Sequence, residues 1–343
     1  MASTVLIITN DHDEHATPVI EELYRRNVSV LRFHPEDFPH ASSISIAIND
    51  GRIEGEISNG QFRTTFDDIC AAWYRRSQNL FKPSTNLNLL YGDLDNYVKV
   101  QSTATLAALY TSLHTLWVSN PFALRRAEIK ALQLAEASKA GLMTPDTLIS
   151  NDPTRVATFV GALGDTECAV KPLNVTRASD GEVDRLPLTT TLPAGHPLDS
   201  VAVAPTIFQP YIEKAYELRC VVIGDNTFCV KINSQVDEVT RKDWRAGEPG
   251  QEAFVLPDHV KASIHRLMRS FDINFASIDL IVTPSGEFVF LDLNPNGQWL
   301  WLEADLGLPL VGAMADLLTT QYSRPEQFAA SEKEGPVEAE YAR

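Results

Sequence analysis

The sequence predicts an α/β domain followed by α+β structure, and three observations carry that reading. The chain opens on an apolar run, a helical stretch and a second apolar run. Residues 93–117 contain no Gly or Pro. From Glu217 onward, short apolar runs bounded by turn residues dominate.

Val5–Thr9 reads as a buried strand, Thr17–Arg26 as a helix and Val28–Phe33 as a second strand, a β–α–β opening that implies a parallel sheet. Ile44, Ile46 and Ile48 alternate with polar residues, Asn49-Asp50-Gly51 turns the chain, and Ile53–Ile57 answers. Asn59-Gly60 turns it again before Phe62–Phe66, completing an antiparallel meander. Ile69–Arg76 is a further strand that ends in two arginines, and Asp93–Trp117 reads as one long helix. Asn120-Pro121 starts the next helix with a capping residue and then proline; it runs to Lys139 and stops at Gly141.

Thr166–Lys171 and Thr206–Tyr211 read as strands with a polar loop between them. Leu218–Ile223, Thr227–Asn233, Ala276–Thr283 and Glu287–Leu293 follow as strands, and Leu308–Thr320 is a closing helix. The expected divisions are 1–119, 120–207 and 208–322, with a Glu- and Ala-rich tail at 323–343 read as disordered.

The 343 residues exceed one small core. With 44% apolar and 22% charged residues the composition is that of a globular protein. The net charge of -16 repels phosphate backbones, so nucleic-acid binding is not expected as the main role. No apolar run reaches the roughly 18–20 residues of a membrane helix, and no signal peptide is legible, so a cytoplasmic protein without a membrane partner is expected. Cys70, Cys168, Cys220 and Cys229 form no C-x-x-C pair and read as thiols of a reducing compartment. A P-loop, a G-x-G-x-x-G after the first strand, H-E-x-x-H and G-x-S-x-G are all missing. His12 and His15 are spaced H-x-x-H in a polar turn and read as solvent-exposed.

The segment 277–295 is the most informative. Two strands meet at Pro284-Ser285-Gly286, with Asp279 on the first and Asp292 and Asn294 on the second. Residues two apart face one side of a sheet, and the hairpin register can bring Asp279 beside them. Three oxygen donors on one face suit Mg²⁺, which takes hard oxygen ligands and bridges carboxylates to nucleotide phosphates. A half-exposed hairpin alternates in the same way, so a solvated acidic face is the alternative. Lys171 ends a strand beside a loop with Asn174, Thr176, Ser179 and Gly181, a reasonable phosphate clamp. Gln209–Ile212 offers backbone groups to an adenine edge, and Glu217 lies five residues beyond to hold ribose hydroxyls.

In order along the chain, Lys130, Lys171, the Gln209–Ile212 hinge, Glu217 and Asp279…Asp292-x-Asn294 resemble the ATP-grasp superfamily over residues 120–320. A closer resemblance is to the ATP-grasp maturases of graspetides, the microviridin-like ester- or amide-cyclised ribosomal peptides. It is carried by Trp73-Tyr74-Arg75-Arg76, by Glu217-Leu218-Arg219 leading to Lys231-Ile232-Asn233-Ser234-Gln235, by Asp243-Trp244-Arg245, and by the run from Asn294 through Pro295, Gly297, Trp299 and Trp301 to Glu303.

The resemblance implies an ATP-grasp fold behind a Rossmann-like pre-ATP-grasp domain, with the central ATP-grasp subdomain at 120–207 and the C-terminal one at 208–322. It assigns ATP to Lys130, Lys171, Gln209, Tyr211, Ile212, Glu217, Lys231 and Asn294. It places Mg²⁺ on Asp279, Asp292 and Asn294, and phosphoryl transfer on Arg219 and Lys171. Asp243 and Arg245 would handle the acidic core of a precursor peptide that also carries a leader. Most relatives carry Glu where this chain has Asp292. The loop 174–181 is the expected lid, and a homodimer is possible by analogy. The implied activity is ATP-dependent macrocyclisation of a peptide through Asp or Glu side chains. The rival expectations are a small-molecule carboxylate–amine ligase and a non-catalytic nucleotide- or peptide-binding scaffold.

Overall fold

In the computed structural model, which describes residues 3–75, 94–174, 178–179, 184–185, 189–193 and 195–320, the opening β–α–β unit forms as expected. Strand β1 (Thr4–Ile8) is followed by helix α1 (Ala16–Arg25), strand β2 (Ser29–Phe33) and a meander of β3 (Ser43–Asn49), β4 (Arg52–Ser58) and β5 (Arg63–Thr65). Strand β6 (Ile69–Tyr74), helix α2 (Leu94–Ser112) and the short β7 (Leu116–Trp117) complete the first domain. Its sheet runs β2-β1-β6-β7, all parallel. The long helix expected to reach Trp117 ends at Ser112, because the chain beyond it is recruited into the sheet. Leu116 and Trp117 pair with Ala71 and Ala72, and Val118 N–H donates to Ala72 C=O at 2.9 Å.

The helix expected from Asn120 to Lys139 is broken in two. Helix α3 (Pro121–Ala127) is capped by the Asn120 side chain on Phe122 N–H; Ile129 is extended, and helix α4 (Lys130–Lys139) begins afresh. The break is held by Gln133, whose amide donates to the Ala127 carbonyl at 2.6 Å and to that of Leu293 at 2.7 Å. Lys130 therefore leads a helix aimed at the acidic hairpin rather than riding in the middle of one.

Strand β8 (Leu148–Ser150), helix α5 (Pro153–Ala162), strand β9 (Cys168–Lys171), the two-residue strands β10 (Ala178–Ser179) and β11 (Asp184–Arg185), strand β12 (Thr190–Leu192) and strand β13 (Thr206–Pro210) come next. They give a small sheet of order β12-β9-β13-β8, with β10 and β11 paired separately. A second sheet, β16-β15-β14-β17-β18, is antiparallel throughout. It contains β14 (Tyr216–Ile223), β15 (Asn226–Ile232), β16 (Gln251–Phe254), β17 (Phe275–Val282) and β18 (Phe288–Asn294). Helix α6 (Asp258–Phe271) lies between β16 and β17, and α7 (Leu300–Leu306) and α8 (Leu310–Thr319) close the described chain. Helices α5 and α6 and strand β16 go beyond the sequence reading. Helix α6 ends on Asp272 in the left-handed conformation, φ 57°, so the glycine that usually marks a helix end is missing.

Period-two alternation builds the layers. Val5 and Ile7 face one way into a core with α1, α8, Val221, Ile223, Val230 and Ile232, so the parallel and five-stranded sheets share it. Leu6 and Ile8 face the other way, toward α2 and the meander. Leu218, Cys220 and Val222 turn to α6 on the far side of the five-stranded sheet. A separate small core of Val156, Cys168 and Phe208 backs the four-stranded sheet. The four cysteines form no disulfide: three are buried and Cys70 is half-buried. Arg76, Thr176, Gly181 and the tail at 323–343 lie outside the described residues.

Leu318 on α8 is fully buried in the shared core. Leu318→Ala is expected to destabilise the protein by about 2–5 kcal/mol, the cost of a cavity at such a site, measured as a lowered urea midpoint.

Candidate active site

A cleft opens where the four-stranded sheet meets the exposed end of the five-stranded sheet, and most of the expected site residues line it. Lys130, Lys171, Gln209, Tyr211, Ile212, Glu217, Asp243, Arg245, Asp279 and Asp292 all face this one space. Strand pairing explains the convergence. Ile207 pairs with Lys171 and Gln209 with Ala169, which sets the strand lysine beside the hinge. Across the cleft Asp279 pairs directly with Asp292, beside a register shift between Asp279 and Leu280. Arg219 pairs with Asp279 from the other side, so a cation and two acids sit side by side across three strands.

The hinge presents little free backbone. Pro210 has no N–H, and Tyr211 N–H donates to Glu167 C=O at 2.7 Å. The Gln209 amide donates to Thr147 Oγ1 at 2.9 Å. Ile212 N–H is the hinge donor without a hydrogen-bond partner among the described residues, which suits it to an adenine edge.

Each acid in the cleft meets a base. Lys130 Nζ is ion-paired with Asp292. Arg219 Nη1 donates to Asp279 Oδ1 at 2.8 Å, and Lys214 Nζ to Glu217 Oε1 at 2.7 Å. Arg245 forks onto Asp243, Nε to Oδ1 at 2.8 Å and Nη2 to Oδ2 at 2.5 Å, while Thr189 N–H donates to Oδ2 at 3.2 Å. Burial alone would raise the pKa of Asp243; the Arg245 guanidinium overrides it and holds the carboxyl below its ordinary range. Burial raises the pKa of Glu217 in spite of Lys214. Lys171 is pushed down to about 8, chiefly by burial and also by Lys214, against the opposing pull of Asp292, Glu217 and Asp243.

Three assigned residues lie outside the cleft lining. Arg219 stands behind Asp279. Asn294 is one step further along the acidic face, paired with Ser277, its Oδ1 accepting the Asn296 N–H at 3.0 Å. Lys231 is on the opposite face of the sheet. It pairs with Leu218, bonds Glu252 Oε1 at 2.9 Å and lies 4.9 Å from the Tyr216 ring, so the structure does not bring it to the nucleotide side. His15 is buried rather than exposed, its Nδ1 accepting the Leu300 N–H at 3.3 Å. Lys214 escaped the sequence reading; its i,i+3 spacing to Glu217 was the available signal.

Two facing carboxylates and a nearby amide are hard oxygen donors of the type Mg²⁺ takes. Among the described residues no group of three or more His, Cys, Asp or Glu side chains stands ready to hold a metal unaided. Asp279, Asp292 and Asn294 offer a divalent cation part of an oxygen coordination set.

A hinge, a strand lysine and an acidic hairpin thus meet in one cleft between two sheets, the arrangement that the resemblance to ATP-grasp proteins implied. Residues 4–125 match the family model of the MvdD pre-ATP grasp domain. The chain is similar to a RiPP-associated ATP-grasp ligase of Chryseobacterium gregarium, solved with ADP and a leader and core peptide. Identity is 25%, coverage 93% of this chain and 97% of that one, and the TM-score 0.82. It is likewise similar to the macrocyclase MdnC of Microcystis aeruginosa bound with precursor peptide MdnA, at 26% identity, coverage of 92% and 99%, and TM-score 0.79. The macrocyclase MdnB of the same organism aligns at 26% identity over 92% and 99% with TM-score 0.72. No curated protein matches the sequence at a significant level. The chain thus has the ATP-grasp fold behind a pre-ATP-grasp domain, and its resemblance to the graspetide ATP-grasp maturases holds in three dimensions.

Lys171 supplies a pH test. A bound triphosphate stabilises its charged form, so the complex has the higher pKa and takes up protons above the free-state value of about 8. Affinity for AMPPNP is expected to fall as pH rises through that value. Calorimetry in buffers of different ionisation enthalpy should show proton uptake at pH 8.5, lost in Lys171→Met.

Proposed function

We propose that the protein is an ATP- and Mg²⁺-dependent ligase that phosphorylates Asp or Glu side chains of a ribosomal precursor peptide. ADP leaves in that step; a Ser or Thr hydroxyl, or a Lys amine, of the same peptide then attacks the acyl carbon, loses its proton and expels inorganic phosphate, giving an ester or amide ring. The observation that carries this reading is the meeting of two half-sites in one cleft. Lys171, the hinge and Glu217 suit a nucleotide, and the Asp243-Trp244-Arg245 turn beside them presents a guanidinium to a carboxylate. The relatives solved with ADP and with precursor peptides support it.

Glu217 would take the ribose hydroxyls and Ile212 the adenine edge. Lys130 and Lys171 would hold phosphate oxygens, Lys130 leaving Asp292 as the nucleotide arrives. Asp279, Asp292 and Asn294 would hold Mg²⁺, which when bound neutralises phosphate charge and bridges the nucleotide to the protein. Arg219, fixed by Asp279, would stabilise charge on the transferring phosphoryl group. An incoming carboxylate competes with Asp243 for Arg245, which aims the substrate acid at the cleft. An acyl phosphate must be kept from water; the loop 174–181, the expected lid, lies largely outside the described residues. The reaction belongs in the cytoplasm, where ATP is made; among the described residues no helix is long and apolar enough to cross a membrane.

The decisive assay is ADP release with ATP, Mg²⁺ and a candidate acidic peptide, followed by mass spectrometry of the peptide. Loss of one or more waters coupled to ADP formation is expected. ATP turnover without a peptide mass change would instead indicate a small-molecule ligase, and absence of nucleotide binding would refute the ATP-grasp chemistry. Asp279→Asn and Asp292→Asn should each lower turnover by a factor on the order of 10²–10³ while thermal unfolding stays close to that of the parent, since both carboxylates are partly exposed.

A further inference from the structure

The strand end Trp73-Tyr74-Arg75 and the run from Asn294 to Trp299 belong to different domains and are brought together in the interior. Arg75 is 1% exposed, among the largest fully buried side chains of the molecule. Its Nε is 3.0 Å from Asp13 Oδ2, and Asp13 is itself held by Thr9 Oγ1 at 2.7 Å and by the His15 N–H at 3.0 Å. The same guanidinium reaches across the domain boundary, Nη1 donating to Gly297 C=O at 3.3 Å. The next carbonyl, that of Gln298, accepts from Arg219 Nη2 at 3.2 Å, and Arg219 Nη1 donates to Asp279.

Two consecutive carbonyls are thus gripped by two arginines, one from each domain. The fit is close. A Cβ on Gly297 would stand 2.4 Å from the Ser277 side chain and 3.1 Å from Arg219 Nη2, so the loop can lie there only because residue 297 is glycine. Beyond the grip, Trp299 is fully buried in the core shared by the two sheets, its ring 5.2 Å from that of His15.

We infer that Arg75, held by Asp13, is a positioning residue for phosphoryl transfer: through Gly297 and Gln298 it fixes the end of β18 and the guanidinium of Arg219. The inference rests on the proposed ATP-grasp chemistry. A buried ion pair is expensive to desolvate and is a poor source of net stability, whereas breaking one partner is costly. Pairing Asp13 with Arg75 holds a rigid donor fork where a carbonyl must be caught. Without that fork, the first domain holds this run only further along, where His15 meets Trp299 and Leu300, and the Gly297 carbonyl loses its donor. Arg219 then shares its two bonds with a carbonyl that can move. The hinge lies on another segment and Glu217 is held by Lys214, so nucleotide contacts made by these two should be indifferent to Arg75.

The test uses the full chain and AMPPNP as probe, with Mn²⁺ in place of Mg²⁺, and again with EDTA. Arg75→Lys keeps the charge and loses the fork. It is expected to weaken AMPPNP binding about tenfold or more with Mn²⁺ and less than threefold with EDTA, and to broaden the Mn²⁺ electron paramagnetic resonance signal of the complex. Asp13→Asn, which removes the charge that orients the fork, should give the same split and carries the test should Arg75→Lys fail to fold. A control in the same domain contact, Asp316→Ala, removes a surface pair to Arg26 and should alter neither affinity. Equal losses with and without Mn²⁺, or parental affinity in both variants, would overturn the inference. If the parent itself shows no Mn²⁺-enhanced AMPPNP binding, the proposed function falls first.

Discussion

Glu217, Asp243, Asp279 and Asp292 converge on one cleft, and Lys214, Arg245, Arg219 and Lys130 neutralise them in turn. Carboxylates gathered in one cleft repel one another, and these partners offset that repulsion. The pairing also sets the terms on which anything can bind. On the proposed reading, a triphosphate entering the cleft would take Lys130 away from Asp292 and leave a carboxylate for a divalent cation. Nucleotide and cation are therefore expected to bind as a unit.

The same exchange resolves an apparent conflict of charge. A chain of net charge -16 is a poor host for acidic substrates at a distance. Close in, the guanidinium of Arg245 holds a carboxylate in a two-point fork, and on the proposed reading a substrate acid of the same geometry would replace Asp243. Salt screens the distant field over about 10 Å, while short, partly buried pairs are screened much less.

Architecture and chemistry meet in strand β14. One face, Leu218, Cys220 and Val222, packs against α6; the other, Val221 and Ile223, packs against the first domain, and on that second face Arg219 backs Asp279 and Glu217 reaches the cleft. A single alternating strand thus fixes the core, the domain contact and the reactive groups together. Lys231, its neighbour on β15, shows the converse: one position out of phase, it is directed to Glu252 and the Tyr216 ring.

By itself the sequence determined the strand alternation, the turns and the spacing of acids, because these follow from local backbone geometry and from which side chains tolerate burial. The Asp279–Asp292 hairpin and the Lys171 strand were legible for that reason, as was the Asn120 cap, whereas Asp243-Trp244-Arg245 stood out only through the family resemblance. Tertiary structure decided what spacing cannot express. It broke the helix at Ile129 so that Lys130 leads toward Asp292, pulled Leu116–Trp117 out of a helix into the sheet, and buried His15 against Trp299. It also brought Arg75 to Gly297, 222 residues away in the chain. Such pairings depend on which faces two domains turn toward each other, and that is settled by the packing of shared cores rather than by any local pattern.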